Sequence, residues 1–273
     1  MFHFRPLVFL SSFLLSPATS LAVDLKPETI AAFDKFIAAA EKRLEPAFLG
    51  HEFLWFDAIS GIRPQLQNGA VIVQPVPGNA MVPLKGGLVQ DWRAAVFIPH
   101  ASLQDVLAIV QDYPRHHEFY KPDVADARIE SRQGDQFLVS MRIVKSKFTV
   151  TDVLSTENEI RFAHLDSSRT YSRSYSTRIN EIVSPGQPGE HQLPAGHDRG
   201  LLWRLYGYWF FEERDGGVYV ACESITLTRD IPFGMGAILG PVFRDLPGES
   251  LRKSLEQTRR AVLAIRPHTV SAN

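Results

Sequence analysis

The strongest candidate for polar chemistry in this sequence is a run of alternating tyrosine, arginine and serine between Tyr171 and Arg178. Period-two alternation puts Tyr171, Arg173 and Tyr175 on one face of a strand. Pointing inward, these side chains could bind and polarise a carboxylate, a phosphate or an enolate. Pointing outward, they would form an ordinary solvated sheet face with arginine stacked on tyrosine. The pattern alone leaves both interpretations open.

Other catalytic or metal-binding patterns are weak. His116 and His117 follow a predicted helix, and neighbouring strand residues point to opposite faces, so they form a poor chelate. The sequence contains no nucleophile elbow, no phosphate loop and no zinc-protease motif. The single cysteine, Cys222, excludes an internal disulfide and a multi-cysteine cluster. We therefore expect no metal, no cofactor and no catalytic residue, so that an enzyme is the less favoured possibility.

The composition is that of a folded protein without a strong charge. The chain has 273 residues, of which 45% are hydrophobic, and a formal net charge of -1. This apolar content excludes wholesale disorder, and the length suits one large or two small domains. The balanced charge gives no electrostatic case for nucleic acid as a partner.

The first 22 residues have the three-part layout of a secretory signal peptide. Arg5 precedes an apolar run over residues 7–15, and Ser20 and Ala22 occupy the small-residue positions of a cut after Ala22. The apolar run is too short to span a bilayer. We expect a secreted or periplasmic protein; the alternative is an uncleaved signal anchor.

The elements predicted by the remaining sequence follow an α+β order. An amphipathic helix over 26–47 is followed by an irregular segment, and the Pro/Gly stretch 75–87 marks the end of an N-terminal extension, 23–86. The later predicted elements are a strand at 88–98, a helix capped by Ser102, strands at 123–132, 136–145, 147–155, 159–165, 170–182, 201–214 and 218–229, a loop at 184–200, and a terminal helix at 249–266. Strands followed by a terminal helix indicate an antiparallel sheet packed against that helix.

The hairpin 201–229 decides which sheet face points toward the terminal helix. With Asp215 and Gly216 as its turn, one face carries Trp203, Leu205, Gly207, Trp209, Phe211, Val218, Val220, Cys222, Ser224 and Thr226. The other face carries four charges, Arg204, Glu212, Glu223 and Arg229, and burying them without partners would cost several kcal/mol each. We therefore expect the first face to point inward. In the alternative, the second face points inward, and Glu223 and Arg229 form a paired polar anchor inside a cavity between the sheet and the terminal helix.

Three phrases of the sequence resemble the START-like superfamily, whose members include lipid-transfer, polyketide-cyclase and coenzyme-Q-binding domains. They are Asp112-Tyr113-Pro114 running into Phe119-Tyr120-Lys121-Pro122, Trp203 to Glu213 running into Gly216 to Val220, and Asp230-Ile231-Pro232 followed by Pro247 to Leu251. The resemblance covers 87–266 and leaves 267–273 as a tail. It implies a helix-grip fold, in which a curved antiparallel sheet wraps a long C-terminal helix and a cavity lies between them.

The expected cavity lining combines the inward strand face with the terminal helix. The predicted ligand-binding residues are Trp92, Val139, Met141, Tyr175, Trp203, Trp209, Phe211, Val220, Cys222, Phe233, Met235 and Leu255. The glycine-containing apolar segment 231–243 is a candidate lid or portal, or else a short buried helix.

The favoured hypothesis is an exported binding or transport protein for a hydrophobic small molecule, a lipid or an isoprenoid, with transient membrane-surface contact. One alternative is a cyclase- or aromatase-like enzyme that uses Tyr171, Arg173 and Tyr175 in the cavity. Another is a non-catalytic envelope protein with a collapsed cavity.

Overall fold

The computed structural model describes residues 23–147, 150–230 and 236–265. Its helices are α1 (Pro27–Phe48), α2 (Ile62–Gln67), α3 (Leu103–Val110), α4 (His116–Phe119) and α5 (Gly236–Ile265), with a 3-10 turn at Tyr113–Arg115. Its strands are β1 (Val23–Asp24), β2 (Val71–Pro75), β3 (Val82–Leu84), β4 (Gly87–Pro99), β5 (Val124–Gln133), β6 (Gln136–Lys147), β7 (Val150–His164), β8 (Arg169–Val183), β9 (His191–Gln192), β10 (His197–Asp198), β11 (Arg204–Arg214) and β12 (Gly217–Thr228).

One large antiparallel sheet organises the molecule. Its strands lie in the order β2, β4, β12, β11, β8, β7, β6, β5, with β3 paired to β4 and β9 paired to β8. Leu251, Leu255 and Val262 of α5 pack against one face, which we call the α5 face. Phe33 and Leu44 of α1 pack against the opposite face, the α1 face. The predicted α+β helix-grip architecture is confirmed.

The hairpin of β11 and β12 has the register expected from the sequence. Glu213 pairs with Val218 and Trp209 pairs with Cys222. Asp215 and Gly216 form the turn with positive φ angles of 57° and 75°, which glycine adopts freely and aspartate tolerates. Ser102 caps α3 through a reciprocal capping box with Asp105, as its sequence pattern predicts.

The predicted turn at Thr156-Glu157-Asn158 is wrong, because β7 runs without interruption through these residues. The register between β7 and β8 shifts between Glu157 and Asn158, which marks a β-bulge. The extra residue of this bulge is Thr177 of β8, so β7 itself continues unbroken through the polar residues 156–158.

The predicted start of the terminal helix at Glu249 is also wrong, since α5 begins at Gly236 and includes Pro247 and Gly248. Of the candidate lid 231–243, residues 231–235 lie outside the described part of the chain and the remainder is helical. Residues 236–243 thus belong to the long helix α5. The predicted signal segment 1–22 and the tail 267–273 also lie outside the described residues.

The N-terminal extension joins the main sheet. Its strands β2 and β3 pair with β4, and its helix α1 covers the face opposite α5. The loop 184–200 contributes the two short strands β9 and β10, and β1 pairs with β10. Within the described residues, no helix combines the length and the apolar character that a membrane crossing requires.

Candidate functional site: a trough on the α5 face

A row of small residues crosses the middle of the sheet on the α5 face. Gly207 of β11 lies opposite Ser174 of β8 on one side and Ser224 of β12 on the other. Ser224 is in turn paired with Trp92 of β4. All four residues retain accessible surface although they lie on central strands. We call the three small residues Ser174, Gly207 and Ser224 the floor of a trough.

Gly207 is the lowest point of this floor. Among the described residues, the three nearest heavy atoms to a Cβ atom built on Gly207 are Nε1 and Cδ1 of Trp209 at 3.5 and 3.8 Å and Cβ of Ser174 at 3.9 Å, all at ordinary contact distance. A side chain at this position would therefore begin without a clash against them. Along β11 the neighbouring residues on this face are Leu205 and Trp209, so the trough results from the glycine between these two larger side chains.

Larger apolar side chains border the floor. Trp92 and Trp209 are partly buried and pack against the apolar cluster beneath α5, and Leu205 packs against a smaller cluster beyond the floor. Met141 of β6, two strands away from Ser174, packs against both clusters. The rings of Trp209 and Phe211 are stacked with their centroids 6.3 Å apart. Aromatic walls of this kind bury a large apolar area against a ligand.

Helix α5 approaches β4 closely at Gly248. A Cβ atom added to Gly248 would lie 2.7 Å from Cζ3 of Trp92, so only glycine lets the helix backbone reach the indole ring. Gly248 thus sets the distance between α5 and the sheet at the edge of the trough.

On the sheet strands of this face, two buried polar atoms have no hydrogen-bond partner among the described residues. They are Nε1 of Trp92 and Oγ1 of Thr226. Thr226 is 8% exposed and lies on β12 two residues from Ser224, on the same face. An unsatisfied buried polar group costs about 1–3 kcal/mol, and native proteins contain few of them.

Charged groups on the same face have protein partners. Glu181 is fully buried and accepts hydrogen bonds from Nε of Arg199 at 2.7 Å and from the backbone N–H of Leu201 at 3.1 Å. Lys145 donates to Oγ of Ser250 at 3.2 Å, and burial lowers the pKa of its ammonium. The described trough is therefore lined mainly by apolar and neutral polar groups.

The structure brings eight of the twelve predicted lining residues together on the α5 face. Five are buried in its apolar cluster, namely Val139, Phe211, Val220, Cys222 and Leu255, and Trp92, Met141 and Trp209 are partly buried and pack against that cluster. Phe233 and Met235 lie outside the described residues. Burial also raises the pKa of the Cys222 thiol, so it is an apolar wall residue rather than a nucleophile.

Trp203 and Tyr175 lie on the α1 face, contrary to the expectation that they share a face with Trp209. Trp203 precedes the start of β11 at Arg204, so strand alternation does not apply to it, and its Nε1 donates to Asp198 at 3.0 Å. Tyr175 alternates away from Ser174, and its hydroxyl donates to Glu41 of α1 at 2.6 Å. Neither side chain borders the trough.

The alternating side chains Tyr171, Arg173 and Tyr175 of β8 pack against α1, so they neither line the trough nor form an open solvated face. The Arg173 guanidinium lies 3.9 Å from the ring centroid of Phe48, at the end of α1. Tyr171 packs against the same phenylalanine with ring centroids 5.0 Å apart. The side chains that the enzyme hypothesis requires therefore stabilise the docking of α1.

Glu223 is buried on the α1 face, where Arg43 of α1 binds it through two hydrogen bonds of 2.7 and 3.0 Å. Arg229, its expected partner in the polar-anchor alternative, donates instead to the backbone carbonyl of Arg199. The alternative of a Glu223–Arg229 anchor inside the cavity is wrong.

The floor residues were not among the predicted site residues, although the face assignment placed Gly207, Ser224 and Thr226 correctly. A signal for them exists in the cross-strand register. Small residues at matching positions of three neighbouring strands indicate a depression, but only when the pairing of β8 with β11 is known.

Outside the trough, the described residues offer one concavity of a different character and no metal site. A concavity of about 690 Å³ beside α3 opens widely to solvent and is lined by residues of mixed charge, among them Asp112, Arg132 and Glu213. Across the described ranges, no group of three or more histidine, cysteine, aspartate or glutamate residues could hold a metal ion.

Comparisons with known proteins give structural likenesses only. No protein-family model and no curated protein matches the chain. A solved protein from Thermus thermophilus is 18% identical over 64% of this chain and 98% of its own, with a TM-score of 0.47. A STAR-related lipid transfer protein from Xanthomonas axonopodis is 16% identical over 71% of this chain and 90% of its own, with a TM-score of 0.46.

The Zhui aromatase/cyclase of a Streptomyces species is 11% identical over 64% of this chain and 92% of its own, with a TM-score of 0.38. Identities and TM-scores this low give no support for a shared activity. The case for function rests on the trough of this chain.

Proposed function

We propose that the protein binds and transports a hydrophobic small molecule, a lipid or an isoprenoid, in the trough between the α5 face and α5. The observation that carries this proposal is the accessible floor of Ser174, Gly207 and Ser224 in the centre of a face that is lined mainly by apolar and neutral polar groups. Ordinary core packing would fill such a space with side chains.

Burial of apolar ligand atoms supplies the binding energy. Each buried methylene contributes about 0.8 kcal/mol, so ten contribute roughly 8 kcal/mol. Association costs about 4–15 kcal/mol in lost freedom of motion. Long-chain or polycyclic molecules are therefore favoured over small ones.

Gly207→Leu tests the proposal because it fills the trough without requiring a strained backbone. We expect lipid extraction and mass spectrometry to detect an apolar ligand with the wild-type protein from its native host, and at least a tenfold loss with this variant. Thr177→Leu is the control, since it adds the same side chain at an exposed position of β8. Equal ligand content in both variants, or none in the wild type, would count against the proposal.

We also propose that the protein is exported and delivers its ligand by transient contact with membrane surfaces. The support is the signal-like layout of residues 1–22. Cell fractionation followed by N-terminal sequencing should find a mature chain that begins at Val23 outside the cytoplasm. A cytoplasmic chain that retains Met1 would contradict export, and a failure to move lipid between liposomes would contradict delivery.

A further inference from the structure

We infer that the ligand carries an uncharged oxygen, a hydroxyl or a carbonyl, which binds Thr226 and Trp92 at one end of the trough. This inference rests on the proposed function and adds the chemical class of the ligand. It starts from the two buried polar atoms that lack a partner, Oγ1 of Thr226 and Nε1 of Trp92.

The two groups are close neighbours in the sheet. Trp92 of β4 pairs with Ser224 of β12, and Thr226 follows two residues later on the same face. Diagonal neighbours of this kind on adjacent strands have Cα atoms about 7–8 Å apart, within reach of a side chain as long as tryptophan. Both groups therefore border the same end of the floor, beside Ser224.

Thr226 differs from the next threonine on the same face of the strand. The Thr228 hydroxyl contacts the backbone carbonyls of Leu88 at 3.5 Å and Arg229 at 3.1 Å. The sheet thus offers carbonyl partners to a threonine hydroxyl at one position and none at the other. Since both threonines are buried, exposure to water does not explain the difference.

The donor pattern defines the ligand group. An indole N–H only donates, and a threonine hydroxyl can donate or accept. A single ligand oxygen satisfies both atoms if it accepts a hydrogen bond from Nε1 of Trp92 and forms a second one with Oγ1 of Thr226. In the second hydrogen bond the ligand oxygen can be either the acceptor or the donor. Both protein groups are neutral, and burying an ion against neutral partners carries a large desolvation cost. An alcohol, ketone or ester therefore fits better than a carboxylate.

The experiment compares three probes of equal chain length on the full-length protein: dodecanol, dodecane and dodecanoate, the last at pH 8. Affinity is measured by displacement of a fluorescent apolar dye. For each variant we compare the ratio of the dodecanol affinity to the dodecane affinity. The different aqueous solubilities of the two probes are the same for every variant, so they cancel when these ratios are compared. Thr226→Val removes the hydroxyl and keeps the shape, Thr226→Ser keeps the hydroxyl, and Thr228→Val is the matched control.

Thr226→Val should lower the dodecanol-to-dodecane affinity ratio about tenfold, as the loss of a hydrogen bond of roughly 1.4 kcal/mol requires. Thr226→Ser and Thr228→Val should keep the wild-type ratio. The empty Thr226→Val protein should also melt about 2–4 °C higher, because an unsatisfied buried hydroxyl has been removed.

An unchanged ratio in Thr226→Val would overturn the inference, and so would tighter binding of dodecanoate than of dodecanol to the wild type. If Gly207→Leu weakens the binding of dodecane and dodecanol but Thr226→Val leaves the affinity ratio unchanged, the proposed function stands. Only the inference that the ligand carries an uncharged oxygen is then rejected. Failure of the wild type to bind any probe would overturn the proposed function itself.

Discussion

Arg43 neutralises two buried carboxylates on the α1 face. Its Nη2 atom lies 2.7 Å from Oε1 of Glu223 and 3.1 Å from Oδ2 of Asp91, and both acidic side chains are almost fully buried. Asn79 also donates to Oδ2 of Asp91. The cluster joins α1 to β4 and β12, which are far apart from α1 in the sequence.

Arg43→Met should therefore destabilise the protein by about 2–4 kcal/mol, because two buried carboxylates lose their cation while the arginine itself is partly exposed. Urea unfolding measures the change. Arg128→Met is the control, since it breaks an exposed pair with Glu130 and should cost at most about 1 kcal/mol. A cost no greater than that of the control would contradict this account.

The same cluster predicts a pH dependence. Burial, with a contribution from Glu223, raises the pKa of Asp91 to about 7 from its ordinary 3.8, against the opposing effect of Arg43. The folded protein holds this proton more tightly than the unfolded chain. The contribution of Asp91 to the free energy of unfolding is therefore complete below about pH 4 and is lost as the pH rises through 7.

Asp91→Asn removes this titration, because an amide does not ionise. Relative to the wild type, the urea midpoint of the variant should rise between pH 5 and pH 8. Parallel unfolding curves at both pH values provide the measurement. If the difference in urea midpoint between the variant and the wild type is the same at pH 5 and pH 8, Asp91 does not titrate in this range and the account is contradicted.

At this scale the sequence predicted the chemistry of single residues only in part. The argument that buried charges need partners holds for Glu223: it placed this residue on the face away from the terminal helix, but it did not identify the partner. Arg43 lies 180 residues away, and only the docking of α1 brings the two together. Local periodicity contains no information on such a contact.

At the scale of the elements, the contact of α5 with β4 through Gly248 and Trp92 shapes the site. Gly248→Ala would normally stabilise a helix by about 1 kcal/mol. Here the added Cβ would lie 2.7 Å from a rigid indole ring, and overpacking costs typically about 1–3 kcal/mol. We expect a net loss of stability of about 1 kcal/mol, measured by urea unfolding.

Trp92→Leu supplies the matched test by double-mutant cycle. In that background Gly248→Ala should be neutral or stabilising, because the ring that it meets is gone. The same loss in both backgrounds would mean that the cost of Gly248→Ala does not come from Trp92.

Strand and helix patterns predicted most elements because burial alternates with a period of two or about four residues. They failed where one element continues through an interruption. Residues 156–158 of β7 have the polar composition of a turn, and Pro247 with Gly248 has the composition of a helix start. In both places tertiary packing decides that the element continues.

At the scale of the whole molecule, one sheet separates two different environments. Its α1 face carries the ion cluster and the aromatic contacts of α1, and its α5 face carries the trough. The resemblance and the strand order predicted the helix-grip architecture. They did not predict that the N-terminal extension completes it, because 23–86 has no counterpart in the resembling region.

The two faces divide the four tryptophans evenly. Trp92 and Trp209 border the trough, whereas Trp55 and Trp203 pack on the α1 face. A molecule bound in the proposed trough would lie beside one pair and be separated from the other by the sheet. This arrangement lets fluorescence locate the ligand.

Quenching by 1-bromododecane, a heavy-atom probe that acts at close contact, tests the central claim most directly. The Trp55→Phe/Trp203→Phe variant, which keeps only the trough pair, should show saturable quenching with the affinity of the wild type. The Trp92→Phe/Trp209→Phe variant should show almost none, although the probe can still bind. Equal quenching in the two variants, or quenching confined to Trp55 and Trp203, would contradict a ligand site between the sheet and α5.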